Sequence, residues 1–452
     1  MSVPRAVVIG LARSGIACAR VLAGEGYEVL AVDRGDDERL RARAAEMPAG
    51  VTVQLGGYVP GVVRGAALVC PSPGVPWHAA ELEMARALDI PVRSEMALVF
   101  ERCRGHIVGI TGTNGKTTTT SLCAAMIGRD GRRVHLGGNI GETMLDRLDG
   151  VGEDDWVVLE LSSFQLESVE RPRCDIGAVL NISPDHLDRH GTLEAYAAVK
   201  RRVVEHARSF AVLGWDDPWT RAMAASTPAT VRFFAAEPGE FSGATVQGGQ
   251  VVITAHGAAT PVMPVADIPL FGGHNVLNVL AATAVAHAAG VAGEHIAAAV
   301  RDFHAVPHRL QVVADRDGVL WVNDSKATNV DAATRALEAF ERPVVWIGGG
   351  YSKGVPADAL ADAVVRHARL ALLNGDTAAE LDAALAARGY SARIVLPDQE
   401  AAVRAAAGHA RAGDVVLLAP GYSSFDQFTS FEERGTAFAA SVTALHDTGS
   451  AA

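Results

Sequence analysis

The sequence is poor in lysine. Only four of its 40 basic residues are lysines, namely Lys116, Lys200, Lys326 and Lys353, and the rest are arginines. An arginine-biased chain keeps a lysine where it needs a compact ammonium group or an amine that can lose its proton. The alternative is that four lysines survive by chance. The first interpretation predicts that all four positions are functional.

Other absences exclude whole classes of protein. No apolar run reaches the ~20 residues of a membrane-spanning helix, and the first residues, "MSVPRAVVIG", lack the layout of a signal peptide. The five cysteines show no C-x-x-C spacing, which favours unpaired thiols in a reducing cytosol over disulfides or zinc. A net charge of −12 argues against nucleic acid as the main partner. We therefore expect a cytoplasmic protein whose partners include neither nucleic acid nor a membrane.

Strand-like and helical stretches alternate along the 452 residues. This pattern predicts an α/β protein with largely parallel sheets, and the length predicts three domains, which we place at 1–98, 99–304 and 305–452. A Gly-rich stretch at 243–257 is predicted to be a β-hairpin insertion. In the last domain, strands are predicted at "GVLWVND", "PVVWIGGG", "LALLNG", "ARIVLP" and "DVVLLAPG".

The first strand–helix turn, "VVIGLARSG", is close to a dinucleotide-binding fingerprint. Gly10 and Gly15 frame the turn, but Ala12 occupies the position where a glycine would let the backbone approach a pyrophosphate. Asp33 ends the second strand, where a ribose or base contact would lie. Three interpretations stay open: NAD binding, binding of another nucleotide at the same strand ends, and a plain turn.

The stretch "GITGTNGKTTTT" is a shortened phosphate-binding loop between a predicted strand and a predicted helix. The common pattern G-x-x-x-x-G-K-[ST] fails, because Ile110 stands where its first glycine is required. The remaining glycines still let backbone N–H groups face a phosphate, Lys116 adds a mobile charge, and Thr117 offers a hydroxyl to Mg²⁺. The stretch therefore predicts a nucleotide phosphate site.

Three residues of the central domain each allow two interpretations. Glu160, inside an apolar strand, is either a Mg²⁺ ligand beside the loop or a carboxylate satisfied within the core. His186 and His190 have the spacing of zinc ligands on a helix, whereas the proline and aspartates in "NISPDHLDRH" favour a loop from which one histidine reaches a cation or phosphate. Lys200 is either a solvated helix residue or a desolvated amine that reacts with CO₂ to give a metal-binding carbamate.

Polar clusters follow several predicted strands of the last domain. They occur in "VPHRLQ", "VNDSKATN", "GGGYSKG" and "APGYSSFDQF". Some of these side chains could merely cap the next helix. Ligands of open parallel sheets bind at the carboxyl ends of strands, however, so the clusters together predict a binding site.

As a set, several motifs resemble those of the Mur ligase family, ATP-dependent amide-forming enzymes of bacterial cell-wall synthesis. The resemblance covers nearly the whole chain and rests on "GTNGKT", "ELSSFQLE", "NISPDHLDRH", "GGHNVLNVLAA", "NDSKATN" and "SSFDQF". It implies a Rossmann-like UDP-sugar domain, a central P-loop ATP-binding domain and a Rossmann-like C-terminal domain for the amino acid and ATP. The implied reaction adds D-glutamate to UDP-N-acetylmuramoyl-L-alanine through an acyl phosphate. It would serve peptidoglycan synthesis, and thereby cell shape and division, and we expect a monomer.

The resemblance also implies roles for individual residues. The implied ATP contacts are Gly112, Thr113, Asn114, Gly115, Lys116, Thr117, Thr118, Asn275, His308, Arg309 and Asp324. The implied catalytic residues are Lys116, Glu160, His186 and Lys200, and two Mg²⁺ ions would be held by Thr117, Glu160, His186 and a carbamate on Lys200. The implied substrate contacts are Ser14, Asp33, Arg34, Ser72, Asn139, His186, Lys326, Thr328, Lys353, Ser424, Phe425 and Phe431.

Two departures from the family pattern leave the acceptor amino acid open. Ser352 replaces the acidic residue expected in G-G-x-D-K-G, and "APGYSSFDQF" replaces the commoner "SPACASFDQF". L-glutamate or another acceptor is therefore an alternative. A different class is a P-loop ATPase or kinase with an NAD-binding domain, which Ala12 and the placement of Lys200 argue against. A third class of protein is a binding protein without catalytic activity. Such a protein would be expected to have lost Lys116, Glu160 or Lys200.

Overall fold

Helices and strands alternate along most of the chain, as the apolar runs predict. In a computed structural model, residues 3–255, 257–304, 307–352, 354 and 356–447 are described. The chain divides into two units. The larger contains Met1–Asp267 and Leu277–Asp302, and the smaller contains Ile268–Val276 and Phe303–Ala452.

The first sheet belongs to the larger unit and has four parallel strands in the order β3-β2-β1-β4. Its strands are β1 (Arg5–Ile9), β2 (Glu28–Val32), β3 (Val51–Gln54) and β4 (Leu68–Pro71). The helices are α1 (Arg13–Gly24), α2 (Glu38–Ala45) and α3 (Ala80–Ala87). Because β1 lies between β2 and β4, the carboxyl ends of these three strands meet at one edge, where a ligand can bind.

The second sheet, also in the larger unit, has nine strands in the order β13-β12-β11-β10-β9-β8-β5-β7-β6. They are β5 (His106–Thr111), β6 (Val134–Gly138), β7 (Trp156–Glu160), β8 (Ile176–Val179), β9 (Phe210–Gly214), β10 (Thr230–Ala235), β11 (Gly243–Gln247), β12 (Gln250–Ala255) and β13 (Ala258–Pro264). The helices are α4 (Glu95–Arg102), α5 (Lys116–Arg129), α6 (Ser163–Glu167), α7 (Leu187–His190), α8 (Leu193–Glu205), α9 (Pro218–Ala222), α10 (Gly273–Ala288) and α11 (Gly293–Arg301). The residues of α10 up to Val276 are counted in the smaller unit.

The predicted hairpin insertion is confirmed, because β11 and β12 pair antiparallel. A third antiparallel strand, β13, extends it. Sequence analysis missed β13, since its sequence "AATPVMP" carries two prolines, which disfavour a strand except at a sheet edge. That is where β13 lies.

The third sheet is in the smaller unit and has six strands in the order β14-β15-β19-β16-β17-β18. They are β14 (Gln311–Arg316), β15 (Val319–Asn323), β16 (Val344–Gly348), β17 (Ala368–Leu373), β18 (Arg393–Val395) and β19 (Val415–Leu418). The helices are α12 (Val330–Leu337), α13 (Asp358–His367), α14 (Ala378–Ala387), α15 (Gln399–His409) and α16 (Phe431–Asp447). The five predicted strands are confirmed, and β14 is an additional antiparallel edge strand.

The three sheets with their helices confirm the predicted α/β class, while the predicted domain boundaries stay predictions. All five cysteines are buried and unpaired, as expected for core thiols. Among the helices of the described residues, none is both long and apolar enough to cross a membrane.

Candidate functional site

The predicted phosphate loop connects the end of β5 to the start of α5. Gly112 and Gly115 have φ values of 153° and 82°, which favour glycine. A Cβ atom on Gly115 would lie 2.2 Å from Asn278 Oδ1, and one on Gly112 would lie 2.9 Å from Leu180 Cβ. Both glycines are therefore required by backbone conformation and by close packing.

The loop is fixed by groups in the segment after β8 and by a side chain of α8. The Asn114 N–H donates to Asn181 Oδ1 at 2.9 Å, and Asn181 Nδ2 donates back to the Asn114 carbonyl at 3.1 Å. The Thr113 hydroxyl lies 3.2 Å from the Ser183 carbonyl and 3.3 Å from the Tyr196 hydroxyl. These bonds hold the loop in shape, so little ordering entropy is left to lose when a phosphate binds.

Lys116 is the first residue of α5 and folds back over the loop. Its Nζ donates to the Gly112 carbonyl at 3.0 Å and to the Thr113 carbonyl at 2.7 Å. Thr117 is half-buried and Thr118 is buried in the same first turn. The ammonium group thus lies at the N-terminus of a 14-residue helix, and both attract anions.

Glu160 ends β7 and pairs in register with Ile110 of β5. It is 2% exposed, and its Oε1 accepts a hydrogen bond from Asn139 Nδ2 at 3.0 Å. Its Oε2 is buried and accepts no hydrogen bond from any described residue. A buried carboxylate oxygen without a partner is costly, and a hard cation would satisfy it. The interpretation of Glu160 as a core carboxylate satisfied by the described protein groups alone is therefore wrong.

Lys200 lies in α8 and is 1% exposed, so the interpretation of it as a solvated helix residue is also wrong. Its Nζ donates to the Gly112 carbonyl at 2.9 Å and to Thr111 Oγ1 at 3.2 Å. Burial, followed by the nearby charge of Lys116, lowers the pKa of Lys200 well below its ordinary value. Burial of this kind favours the neutral amine, which is the form that reacts with CO₂.

His186 and His190 make different polar contacts. His186 precedes α7 at a φ of 52° and its Nε2 lies 3.7 Å from Asp185 Oδ2. His190 Nε2 lies 3.0 Å from Ser163 Oγ, and burial lowers the pKa of the imidazole. Within the described part of the chain, no three His, Cys, Asp or Glu side chains could together hold a metal. The zinc alternative has no support in this structure.

A cleft of about 480 Å³ lies at the edge where β1, β2 and β4 end. It brings together three predicted substrate contacts, Asp33, Arg34 and Ser72. Ser14 and Asn139 are not among the residues that line it. They bond instead to buried carboxylates, Ser14 to Glu95 and Asn139 to Glu160.

Two of the cleft residues shape the first turn. Asp33 accepts hydrogen bonds from the N–H groups of Leu11 and Gly35 at 2.8 and 2.9 Å. The Ser72 hydroxyl donates to the Gly10 carbonyl at 2.7 Å. The bonds at Leu11 and Gly10 fix the turn between β1 and α1, and the bond from Gly35 fixes the backbone after β2.

In the smaller unit, His308, Arg309 and Asp324 lie together. Asp324 is 2% exposed, accepts a bond from the Leu310 N–H at 3.3 Å, and lies 4.0 Å from Arg309 Nη1. Burial raises the pKa of Asp324 to about 6, against the opposing charge of Arg309. His308 Nδ1 lies 3.1 Å from Asn323 Nδ2, and burial lowers the pKa of the imidazole.

The other predicted contacts of the smaller unit lie on loops and near the first residues of helices. Lys326 Nζ lies 5.7 Å from the centre of the Phe431 ring. Ser424 is buried, whereas the next residue, Phe425, is 65% exposed. Asn275 is buried and donates to the Phe271 carbonyl at 2.7 Å. Thr328 is half-buried, and Lys353 lies outside the described residues.

Comparison with known proteins identifies the family. Three family models match: the Mur ligase MurD-like N-terminal domain at residues 4–94, the Mur ligase middle domain at 110–286, and the Mur ligase glutamate ligase domain at 308–421. The UDP-N-acetylmuramoylalanine–D-glutamate ligase of Koribacter versatilis is 43% identical over 440 residues, which cover 96% of each chain. That of Pelotomaculum thermopropionicum is 40% identical over 98% of each. The chain belongs to the Mur ligase family.

Solved structures of the Mur ligase family share the fold at low identity. The UDP-N-acetylmuramate–alanine ligase of Thermotoga maritima is 16% identical and has a TM-score of 0.62, covering 98% of this chain and 99% of its own. A pseudomurein peptide ligase type C of Methanothermus fervidus is 19% identical and has a TM-score of 0.58, covering 92% and 97%. At such identities these structures support the Mur ligase fold alone.

Sequence analysis missed two structural residues of this Mur ligase. Asn181, which fixes the phosphate loop, stands in the quoted motif "NISPDHLDRH" but was given no role. Arg434 is 4% exposed and donates to the hydroxyl and carbonyl of Ser325 and to the carbonyl of Tyr422. It thereby ties the "NDSKATN" and "APGYSSFDQF" stretches together.

Proposed function

We propose that this chain is an ATP-dependent ligase that joins D-glutamate to UDP-N-acetylmuramoyl-L-alanine. One observation carries the proposal: the phosphate loop gathers the ammonium group of Lys116, the buried amine of Lys200 and, beside them, the unsatisfied carboxylate oxygen of Glu160. A lysine ammonium group and a carboxylate able to hold Mg²⁺, both beside a phosphate loop, suit phosphoryl transfer. The substrates are those named for relatives that match nearly the whole chain.

The reaction would proceed in two steps. The carboxylate of the UDP-sugar peptide attacks the γ-phosphorus of ATP, the bond to ADP breaks, and an acyl phosphate forms. The amine of glutamate then attacks the acyl carbon, loses a proton, and displaces phosphate to leave the amide. Lys116 would offset the negative charge on the transferring group, and the backbone N–H groups after Gly112 would orient it.

A Mg²⁺ ion fits the residues present, and a second Mg²⁺ is part of the proposal. Glu160 Oε2 is a buried oxygen in need of a cation, and Thr117 at the start of α5 offers a hydroxyl. When bound, Mg²⁺ supplies a positive charge that polarises phosphoryl oxygens. His186 and a carbamate on Lys200 would complete the ligand set. The carbamate would form when the neutral Lys200 amine attacks CO₂, with a new C–N bond and release of a proton.

The N-terminal cleft would hold the uridine nucleotide, with Asp33, Arg34 and Ser72 at its wall. His308, Arg309, Asp324 and Asn275 are proposed to contact ATP, and Lys326, Thr328, Lys353, Ser424, Phe425 and Phe431 the amino acid. Ser14 and Asn139 are proposed to contact the UDP-sugar. We place the reaction in the cytoplasm, in peptidoglycan precursor synthesis, and we propose that the enzyme is a monomer.

The decisive measurement is phosphate release from ATP with Mg²⁺ and UDP-N-acetylmuramoyl-L-alanine, in parallel reactions with D-glutamate, L-glutamate or neither. Release with D-glutamate alone would support the proposal. Release with L-glutamate alone would keep the mechanism and assign the substitution at Ser352 to a changed acceptor. If the folded protein releases no phosphate in any of the reactions, the proposed substrates are wrong. A Lys116→Ala variant controls for contaminating phosphatases.

A further inference from the structure

One carboxylate of the N-terminal cleft has an oxygen that accepts no hydrogen bond from the described residues. Glu81, in α3, lines the cleft and is only 1% exposed. Its Oε1 accepts a hydrogen bond from Arg34 Nη2 at 2.6 Å. Its Oε2 is buried and accepts no bond from any residue that the structure describes. Because such an oxygen is costly to bury unpaired, a hydrogen-bond donor on a ligand bound in the cleft would satisfy it.

Asp33, which directly follows β2, is less available for that role. Its two oxygens accept the backbone N–H groups of Leu11 and Gly35 at 2.8 and 2.9 Å. The bond from Leu11 fixes the turn between β1 and α1, and the bond from Gly35 fixes the backbone after β2. Asp33 therefore shapes the cleft, and Glu81 is the carboxylate that can accept a hydrogen bond from a ligand.

Arg34 is held beside this oxygen in a defined position. Glu81 fixes one end of its guanidinium, and the guanidinium carbon lies 5.5 Å from the centre of the Tyr58 ring. Although the Arg34 side chain is 69% exposed, it is thus anchored by an ion pair and by an aromatic face. The cleft presents an acceptor and a donor side by side.

We propose that Glu81 selects the base of the bound nucleotide by accepting the N3–H of uracil at Oε2, while Arg34 donates to a neighbouring carbonyl of the base. Uracil presents an N–H flanked by two carbonyl oxygens, which complements an acceptor beside a donor. With the ribose held at the same strand ends, cytosine would place its unprotonated N3 against the carboxylate. The inference rests on the proposed function, since it assumes that the cleft holds a uridine nucleotide.

The test is calorimetric titration of the full chain with UDP, CDP and N3-methyl-UDP. For the unaltered protein we expect UDP to bind at least about tenfold more tightly than either analogue, the size of loss expected when a buried acceptor is left unpaired. Glu81→Gln should weaken UDP binding and bring the three affinities together. The matched control is Glu83→Gln, on the same helix, because Glu83 is half-exposed, pairs with Arg86 and does not line the cleft. The Glu83→Gln variant should bind all three ligands with the affinities of the unaltered protein.

The outcomes separate this inference from the proposed function. If the unaltered protein binds none of the three, the uridine site fails and the inference fails with it. If it binds UDP and N3-methyl-UDP equally, the role of Glu81 is overturned while the uridine site stands. The methylated ligand needs no variant, so this result decides the question even if Glu81→Gln fails to fold.

Discussion

The hydroxyl of Ser14 donates a hydrogen bond to Glu95 Oε2 at 3.2 Å, which links the first turn of α1 to the first residue of α4. Glu95 is 1% exposed, and burial raises the pKa of its carboxyl to about 7, although the Ser14 bond opposes the shift. Ser14 is one of the proposed substrate contacts. Its orientation is therefore set by a carboxyl that titrates near neutral pH.

Glu95→Gln should make stability less dependent on pH. Folding raises the pKa of Glu95 from 4.5, so the stability that its protonated form contributes is complete below about pH 4.5 and lost as the pH rises through about 7. The glutamine keeps an acceptor for Ser14 but cannot ionise. Relative to the unaltered protein, the variant should gain about 3 kcal/mol between pH 4.5 and pH 8.

Urea unfolding at a series of pH values measures this difference. Glu101→Gln is the control on the same helix, because Glu101 is half-exposed and pairs with Arg93 at the surface. Its effect should be small at every pH. A stability difference for Glu95→Gln that does not change between pH 4.5 and pH 8 would refute the assigned titration.

The phosphate loop could be predicted because its signal is local in the sequence. The residues that sequence analysis missed act through tertiary contacts. The glycines and Lys116 form a local signal, because backbone conformation and helix position depend on neighbouring residues. The pairing of Asn181 with Asn114 gave no such signal, since it joins residues 67 positions apart. The free oxygen of Glu160 likewise depends on which side chains fold around it.

The amino-acid composition singled out one buried basic residue but gave no signal for another. The rarity of lysine drew attention to Lys200, and its burial against the loop agrees with a special role. Arg434 is buried just as deeply, but it is one of 36 arginines and nothing in the sequence separates it from those at the surface. The polar edge strand β14 was missed for a related reason, because its side chains are mostly not buried and show no apolar run.

Gly115→Ala should damage the phosphate loop, whereas Gly128→Ala, in the helix α5 that follows the loop, should not. A Cβ atom on Gly115 would meet Asn278 Oδ1 at 2.2 Å, and the φ of 82° is strained for alanine. We expect a loss of at least about 1 kcal/mol in stability and of most ATP affinity. At Gly128 the nearest atom is 3.8 Å away, so alanine should stabilise α5 by roughly 0.5–1 kcal/mol. Unfolding and nucleotide titration of both variants would show whether the two glycines differ in this way.

Arg434→Lys should loosen the smaller unit despite keeping the charge. The guanidinium donates to the carbonyls of Ser325 and Tyr422 at once, at 2.9 and 3.1 Å, and an ammonium group cannot reproduce this planar fork. We expect a loss of roughly 2 kcal/mol and a higher KM for the acceptor amino acid. Arg404→Lys is the control, since Arg404 lies exposed on α15. Equal stability of the two variants would show that the planar guanidinium of Arg434 contributes nothing to stability beyond its charge.

Replacement of Lys200 tests the carbamate directly. Arginine keeps a positive charge at this position but cannot lose its proton and react with CO₂, so Lys200→Arg should lose at least about 100-fold in ligase activity. Lys200→Ala should be inactive as well, and short-chain carboxylates should restore part of its activity by occupying the place of the carbamate. Arg201→Ala, at the neighbouring half-exposed position of α8, should stay active.

A readout independent of activity comes from ¹³C NMR of the protein equilibrated with ¹³CO₂. The unaltered enzyme should show a carbamate resonance that is missing from Lys200→Ala and unchanged in Arg201→Ala. Buried at 1% exposure beside Lys116, the amine has its pKa lowered, so it stays available for CO₂ at a pH where an exposed lysine is protonated. Ordinary activity in Lys200→Arg, or a spectrum without the resonance, would mean that Lys200 acts only as an amine that orders the loop through Gly112.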